Sequence, residues 1–426
     1  MKRTIDISTN IDWPLVILFG IFIFAGWLNI FAANYSGEET FEFSDLFDLG
    51  TNAGKQLLFI GLVCSIVISI FIIDYRFFET FSYISWGVFV FLLVIVMLFA
   101  REVNGARSWL ELGSFRFQPS EFMKFSTALA LGKYMDKPNF KLSRFKDQLA
   151  IGAIIGIPVV LIILQGDMGT ALVFSVFIIV LFREGMPGWP LTFGLLSIVI
   201  FLLALLVENE LYIWGGLAVL AIVTIWLGKK TFKRIALVVV LAFLAAGMFE
   251  SVDYAFGNLL KPHQQNRILV LLNPNIDPLG VGWNITQSKI AIGSGGVGGK
   301  GFLNGTQTKF DFVPEQSTDF IFCTIGEEHG WIGSLLLIVM FITVLLRIIY
   351  IAERQKWRMV RVYGYSVAGI IFFHFTVNIG MTIGLFPVIG IPLPFFSYGG
   401  SSLVSFTLLL FILLKLDAHR SQRLMR

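Results

Sequence analysis

The sequence predicts an all-α polytopic membrane protein of about twelve transmembrane helices with one large extracytoplasmic loop. Three observations carry this. Of the 426 residues, 56% are hydrophobic and only 14% are charged, with mean hydropathy +0.80; soluble domains run nearer about 25% charged. The apolar residues gather into runs of about twenty, the length that crosses a bilayer as a helix. One stretch, 251–319, breaks that pattern: it is polar, rich in glycine, and carries Lys261, Arg267, Lys289, Lys300 and Lys309. Residues 1–426 therefore read as a single integral membrane domain, and the length gives no count of soluble domains.

The runs are 14–33, 55–73, 81–100, 119–135, 148–164, 168–183, 188–207, 210–228, 235–250, 320–347, 362–386 and 400–416. The first lacks charge and exceeds the apolar core of about 7–15 residues of a cleaved signal, so it is expected to stay as a span. With the N-terminus in the cytoplasm, 22 of the 32 Lys and Arg fall on the inner side, as the positive-inside rule asks. The loop 34–54 has five acids and no Lys or Arg, and goes outside. Both termini are then cytoplasmic and 251–319 faces outside. A net charge of +4 gives no argument for nucleic acid. Cys64 and Cys323, in or beside apolar runs, form neither a disulfide framework nor a metal spacing.

The cations left outside are the informative minority: Arg101, Arg107 and Arg116 in 101–118, and the five of 251–319. An anionic ligand at the outer surface accounts for them, and so does the tolerance of long loops for charge.

Several segments carry polar chemistry in this apolar setting. The fourth run opens Gln118-Pro119-Ser120-Glu121-Phe122-Met123-Lys124. Pro119 suits a first helical turn, and Glu121 and Lys124, three apart, share a face. Ionisable groups at membrane depth are paired or cavity-facing; an ion pair that fixes packing and a polar cavity opening outward both fit the spacing. Before the sixth run, Asp167 of Gln165-Gly166-Asp167 is expected to cap the helix. In the loop, 273–283 is dominated by turn residues, and 285–292 is expected to lie on the outer leaflet as an interfacial helix. Gly293–Gly301 matches G-x-G-x-x-G by letter, but no strand–helix crossover surrounds it and no Ser or Thr follows Gly299-Lys300, so both nucleotide readings fail. Its glycines permit tight turns or bring backbone N–H groups to an anion; a mobile loop is the plain alternative.

Pro314-Glu315-Gln316-Ser317-Thr318-Asp319 closes the loop, and Asp319 is expected to begin the tenth run. The helix dipole favours its carboxylate and partial burial favours the acid. It is either a simple helix cap or a general base near neutral pH. Glu327 and Glu328 follow about 13 Å deeper by helical rise, beside His329. His374 and Asn378, on one face of the eleventh run, are candidates for the same polar network. Pro392 and Pro394 forbid a regular helix in 387–402, expected to be a turn at the outer end of the last two runs. The sequence has no Cys/His metal cluster and no G-x-S-x-G elbow.

These residues resemble the SEDS proteins (shape, elongation, division, sporulation) from about residue 100 to the end, the region around 190–250 apart. The strongest block is Gln287-Ser288-Lys289-Ile290-Ala291-Ile292-Gly293-Ser294-Gly295-Gly296, then Gly299-Lys300-Gly301 and Gly305-Thr306-Gln307. Pro314-Glu315, Thr318-Asp319-Phe320, Glu327-Glu328, Gln118-Pro119-Ser120-Glu121 with Lys124, and Pro394 with Ser397-Tyr398-Gly399-Gly400-Ser401 complete it. Lys289-Ile290 and Gly305-Thr306-Gln307 look like the elongation branch rather than the division branch.

The resemblance implies a peptidoglycan glycosyltransferase of the bacterial cytoplasmic (inner) membrane, acting outside in cell elongation. Such enzymes polymerise lipid II into glycan with inversion at MurNAc C1 and release of undecaprenyl diphosphate. It makes Asp319 the catalytic residue and Glu121, Lys124 and Trp109 lining residues. Arg107, Lys289, Lys300 and Glu328 are expected beside the substrate. The implied partners are lipid II, nascent glycan, a class B penicillin-binding protein transpeptidase and other elongation-complex membrane proteins. A divalent metal such as Mg²⁺ on the diphosphate stays open. The alternative is a lipid II flippase. The sequence departs from the family pattern in four places. Gln316 replaces an Arg, Gln165-Gly166-Asp167 replaces Gln-Pro-Asp, and Ser108-Trp109 replaces Arg-Trp, with Arg107 one residue earlier. The twelve runs exceed the family's ten by a pair within 188–250, and an even number leaves the loop outside.

Overall fold

The computed structural model describes residues 10–35, 46–103, 105–112, 115–206, 210–228, 231–258, 260–278, 280–310 and 312–420. Glu38, Glu39, Glu42 and Asp45 of the acidic loop lie outside the described residues, as do Lys2, Arg3, Lys229, Lys230, Arg423 and Arg426 of the inner-side count. The chain is almost entirely helical. Its helices are α1 (Trp13–Asn34), α2 (Asn52–Ile72), α3 (Tyr75–Thr80), α4 (Ser82–Phe99), α5 (Pro119–Met135), α6 (Phe145–Leu164), α7 (Met168–Val173), α8 (Val176–Arg183), α9 (Trp189–Leu206), α10 (Glu210–Trp226) and α11 (Phe232–Asn258). They continue as α12 (Pro262–Leu272), α13 (Val281–Ser294), α14 (Thr306–Lys309), α15 (Ile321–Glu328), α16 (Gly330–Glu353), α17 (Arg358–Thr382) and α18 (Gly400–Ala418). An antiparallel hairpin, β1 (Leu110–Leu112) with β2 (Phe115–Phe117), precedes α5.

Among the described residues eight helices are long and apolar enough to cross a membrane, and Met168–Arg183, Trp189–Phe201 and Trp214–Trp226 are shorter apolar segments. This is a multi-pass membrane protein. Every expected run coincides with helix, but two are not continuous. The run 168–183 breaks between α7 and α8 at Phe174-Ser175. The run 320–347 breaks at His329-Gly330, where Gly330 takes φ +63°. The large loop is also more ordered than its turn residues imply: α11 continues to Asn258, and α12, a 3-10 turn at Pro274–Ile276, α13 and α14 occupy much of the rest. The expected interfacial helix 285–292 is the middle of α13.

Burial sorts the helices. α18 is 89% buried and α17 67% buried over their most apolar windows, whereas α2, α4 and α6 are each 17% buried. α5 carries Glu121, Lys124, Ser126 and Thr127 and is buried along nearly its whole length. Close approach needs small residues: a Cβ at Gly132 would stand 2.7 Å from the Met359 carbonyl, where α5 crosses α17, and one at Gly26 2.8 Å from the Phe396 carbonyl. Arg347 forks onto Asp12 at 2.7 and 2.9 Å, while Asp417 holds Arg354 and accepts from Gln355 at 2.6 Å. The start of α1 and the ends of α16 and α18 thus meet at one end of the bundle.

The glycine run after α13 is not a mobile loop. It is pinned against the α15–α16 break by four backbone bonds: Lys300 N to Glu327 O at 3.0 Å, Gly301 N to Glu328 O at 2.9 Å, Trp331 N to Gly296 O at 2.9 Å and Ile332 N to Val297 O at 3.1 Å. The N–H groups of Gly295, Gly299, Lys300 and Gly301 are spent on carbonyls rather than offered to an anion. Gly299, with φ +80°, lies so close to the Glu328 carbonyl that no side chain fits, whereas a Cβ at Gly298 meets nothing within 4 Å. Gly299→Ala combines a left-handed backbone with a steric clash and is expected to lose about 1–3 kcal/mol. Gly298→Ala is expected to stay within about 0.5 kcal/mol of the parent. Thermal unfolding of the two detergent-solubilised variants measures the difference.

Candidate active site

Asp319 sits in the turn just before α15. It does not cap that helix: Phe320 is the N-cap residue and no side chain bonds there. The Asp319 carbonyl accepts the Asn378 side-chain amide at 2.8 Å, and the same amide nitrogen donates to the Ile391 carbonyl at 2.8 Å. The Asp319 residue is half-buried, and its carboxylate oxygens accept no hydrogen bond from the described residues. Loss of water pushes its carboxyl up to about 7; the Glu315 and Asp167 carboxylates push the same way, and the Arg267 guanidinium opposes them.

Gly390 is the point where this carboxylate meets a cation. With φ +75°, it presents bare backbone, and a Cβ there would stand 3.3 Å from Asp319 Oδ2 and 3.9 Å from Arg267 Nη1. Arg267, on α12, is half-buried and donates Nη1 to the Ile389 carbonyl at 3.3 Å. It is the residue that sequence reasoning missed. It was visible as an outside cation, but only the fold of α12 brings it across Gly390 from Asp319. His263, one turn earlier, packs on Gly105, and burial, then Arg267 and Lys261, hold its imidazole below the usual range.

A second polar group lies inside the bundle. Lys124 Nζ donates to Glu121 Oε2 at 2.8 Å and to His374 Nε2 at 2.9 Å, and its ammonium lies 4.9 Å from the Phe406 ring centre. A lysine only donates, so His374 accepts at Nε2 and gives Nδ1–H to the Pro392 carbonyl at 3.1 Å. Lys124 is fully buried and Glu121 nearly so. His374 and Asn378 share the face expected of them, but they serve Lys124 and Asp319, not the two glutamates.

Glu327 and Glu328 belong to the glycine loop rather than to a deeper network, because α15 ends there and turns. Glu327 accepts Lys300 Nζ at 2.6 Å, Gln307 N at 2.9 Å, Thr308 N at 2.9 Å and Thr306 Oγ1 at 3.2 Å. Glu328 Oε1 accepts Leu303 N at 3.1 Å. Lys300 is thus committed to Glu327. Lys289 is exposed and lies against Gly384 at the end of α17.

The 101–118 loop approaches from the other side. Arg107 N bonds to the Gln165 carbonyl at 2.8 Å, its side chain pairs loosely with Glu102 at 3.5 Å, and Trp109 is half-buried. Asp167 caps α7, accepting Thr170 N at 3.0 Å and Thr170 Oγ1 at 2.8 Å, as expected, and also accepts Gln118 Nε2 at 3.0 Å. Gly166 replaces a proline where φ is +85° and the Gly105 carbonyl is 2.8 Å from a Cβ position; proline, fixed near −65°, does not fit. Gln316, in place of an Arg, is buried and gives Nε2 to the carbonyls of Ala33 at 2.6 Å and Thr308 at 2.8 Å, so it latches the loop to α1. Among the described residues no group of three or more His, Cys, Asp or Glu side chains is placed to hold a metal ion.

The sequence matches the cell cycle protein family FtsW/RodA/SpoVE over residues 13–214 and 191–422, so the region around 190–250 is matched as well. It is 34% identical over 390 residues to the peptidoglycan glycosyltransferase RodA of Treponema pallidum, covering 86% of this chain and 89% of that one. It is 33% identical over 343 residues to the peptidoglycan glycosyltransferase MrdB of Escherichia coli, covering 79% of each. Among solved structures, a chain of a peptidoglycan synthase complex that coordinates polymerization and crosslinking superposes with TM-score 0.69 at 27% identity, over 97% of this chain and 99% of that one. The crystal structure of the rod shape determining protein RodA of Thermus thermophilus shares the fold with TM-score 0.61 at 23% identity, over 96% and 97% of the two chains. Fold, motifs and match coincide over nearly the whole length, and the chain belongs to the SEDS family of FtsW, RodA and SpoVE cell cycle proteins.

Proposed function

We propose that this protein is a peptidoglycan glycosyltransferase that polymerises lipid II into glycan strands during cell elongation. The observation that carries the reading is the half-buried Asp319 carboxyl, raised to about 7 and facing Arg267 across Gly390. The names of its relatives in Treponema pallidum and Escherichia coli support the same activity. Asp319 acts as general base. It takes the proton of the acceptor's GlcNAc 4-hydroxyl as that oxygen bonds to the donor's MurNAc C1 with inversion. The bond from C1 to the diphosphate oxygen breaks, and its electron pair leaves on undecaprenyl diphosphate. That leaving group needs positive charge held in place, and Arg267 is the cation whose charge acts on the base. Arg107, whose backbone N–H bonds to the Gln165 carbonyl, and Trp109 are the contacts proposed for the sugars or the diphosphate. Glu121 and Lys124 line the interior beneath the site. Lys289 is kept as a peripheral contact, while Lys300 and Glu328 brace the loop that positions α15.

The relatives carry the name of transferases rather than flippases, and product formation in detergent, where no transport is possible, separates the two. The active site faces outside and both termini face the cytoplasm. A class B penicillin-binding protein transpeptidase sits alongside, a reading supported by the likeness to a chain of a synthase complex.

Purified Asp319→Asn given lipid II is expected to yield no glycan, with a loss of about a hundredfold or more; normal polymer from it overturns the assignment. Arg267→Gln is expected to cut kcat/KM about ten- to a hundredfold, with Arg267→Lys in between, because a lysine keeps the charge but loses the fork. In the parent, kcat/KM is expected to rise with pH and level off above about 7, as the base loses its proton. Stability runs the opposite way. A carboxyl raised on folding binds protons more tightly in the native state, so the native state loses stability as pH rises from about 4 to about 7. Asp319→Asn is therefore expected to unfold at a higher temperature than the parent at pH 8, with the gap closing toward pH 4. Thermal unfolding across pH in detergent checks it.

A further inference from the structure

At the end of the bundle shared by the start of α1 and the ends of α16 and α18, a cleft of about 490 Å³ opens between the last residues of α8, the end of α16 and the start of α17, lined by Arg183, Glu184, Gly185, Glu353, Arg358 and Arg361. Three guanidinium groups face two carboxylates there, leaving one net positive charge. The arrangement is built around Glu184, whose side chain is 3% exposed. It accepts Arg361 Nε at 2.7 Å and Nη2 at 3.0 Å on one side and Arg358 Nε at 3.0 Å on the other. A buried acid thus fixes two arginines while using only part of their donors. Arg358 Nη1 and Nη2 and Arg361 Nη1 have no partner among the described residues. The Arg358 plane is further held over the Phe140 ring at 4.7 Å. On the rim, Arg183 pairs with Glu353 at 2.6 Å, both about half exposed.

Free, preoriented arginine forks match the oxygens of a phosphate. What lies beside them chooses the source. Ile179, one turn before Arg183 on α8 and 50% exposed, and Leu346, two turns before Glu353 on α16 and 62% exposed, give the cleft apolar flanks on the same helix faces. A free phosphate has no use for such flanks, whereas acyl chains do. Basic pockets between transmembrane helices on the cytoplasmic side are a recurring setting for anionic headgroups.

We infer that this cleft is a binding site for an anionic phospholipid of the inner leaflet, its phosphate on Arg358 and Arg361 and its acyl chains along α8 and α16. The bound lipid braces α8 against α16 and α17, and α17 is the helix that carries His374 and Asn378. The leaflet rests on the orientation proposed above; the site itself does not.

Native mass spectrometry and thermal unfolding of the full chain in detergent test it, with dioleoyl phosphatidylglycerol, dioleoyl phosphatidylcholine and inorganic phosphate as probes. Phosphatidylglycerol is expected to stay bound and to raise the unfolding temperature; phosphatidylcholine and phosphate are not. Arg358→Gln, which leaves Glu184 paired with Arg361, is expected to weaken phosphatidylglycerol binding about tenfold, and Arg358→Lys less. Equal retention of the two lipids by the parent, stabilisation by phosphate alone, or undiminished binding in a folded Arg358→Gln protein each overturns the proposal. Should Arg358→Gln fail to fold, the comparison of the two lipids on the parent still decides it. Because no membrane side is involved, a failure here leaves the orientation and the glycosyltransferase reading standing; cysteine accessibility in cells tests the orientation separately.

Discussion

The site depends on one side chain, the amide of Asn378. The segment 387–399 runs without helix between α17 and α18, so its backbone has no ladder of its own, and its buried stretches such as Ile391 need partners from elsewhere. Asn378 gives its two N–H donors to two carbonyls from unrelated stretches, Asp319 and Ile391, each at 2.8 Å. One turn earlier His374 does the same for Pro392 at one ring nitrogen and receives Lys124 at the other. α17 is therefore a ladder of donors that holds the end of the large loop, the proline segment and α5 in fixed relation. An unsatisfied buried carbonyl costs about 1–3 kcal/mol, so these contacts bind the three segments to one geometry.

That geometry sets the electrostatics. Gly390 is held by its neighbours Ile389 and Ile391, which bond to Arg267 and Asn378 respectively. It thereby separates a carboxylate from a guanidinium without letting either close on the other. No salt bridge forms between Asp319 and Arg267 among the described residues. A closed pair would hold the carboxyl low and spend the cation; an open one leaves a base near neutrality and a positive charge available to a leaving group.

The legible parts of the sequence were those whose physics is local. Hydrophobic runs of span length gave the helices, and the cap at Asp167 followed from its position before Met168. The tenth run looks unbroken in the sequence because Gly330 sits inside an apolar pattern, and nothing in a single sequence shows that a glycine there takes φ +63°. Its reason lies in a distant segment: Gly330 makes room for the Gly296–Gly299 backbone. The same distance hid Arg267. As one of five loop cations it had no distinguishing neighbour, and only the docking of α12 selects it. By sequence Gln316 is only the loss of a cation, whereas its buried amide satisfies two carbonyls, a role that its position in the loop does not disclose.

Asp319 and Glu327, on either side of α15, are held in opposite ways. Glu327 receives a lysine, a hydroxyl and two backbone N–H groups, so every change of its charge would break several bonds at once. Such a carboxylate is a fixture. Asp319 receives none of these; its backbone is held while its carboxylate is left uncompensated. The fold could have stabilised it with the N–H groups of the first turn of α15, but Phe320 takes the cap position and directs the carboxylate toward Gly390 instead. An underpaired acid held open toward a cation is where chemistry is to be expected.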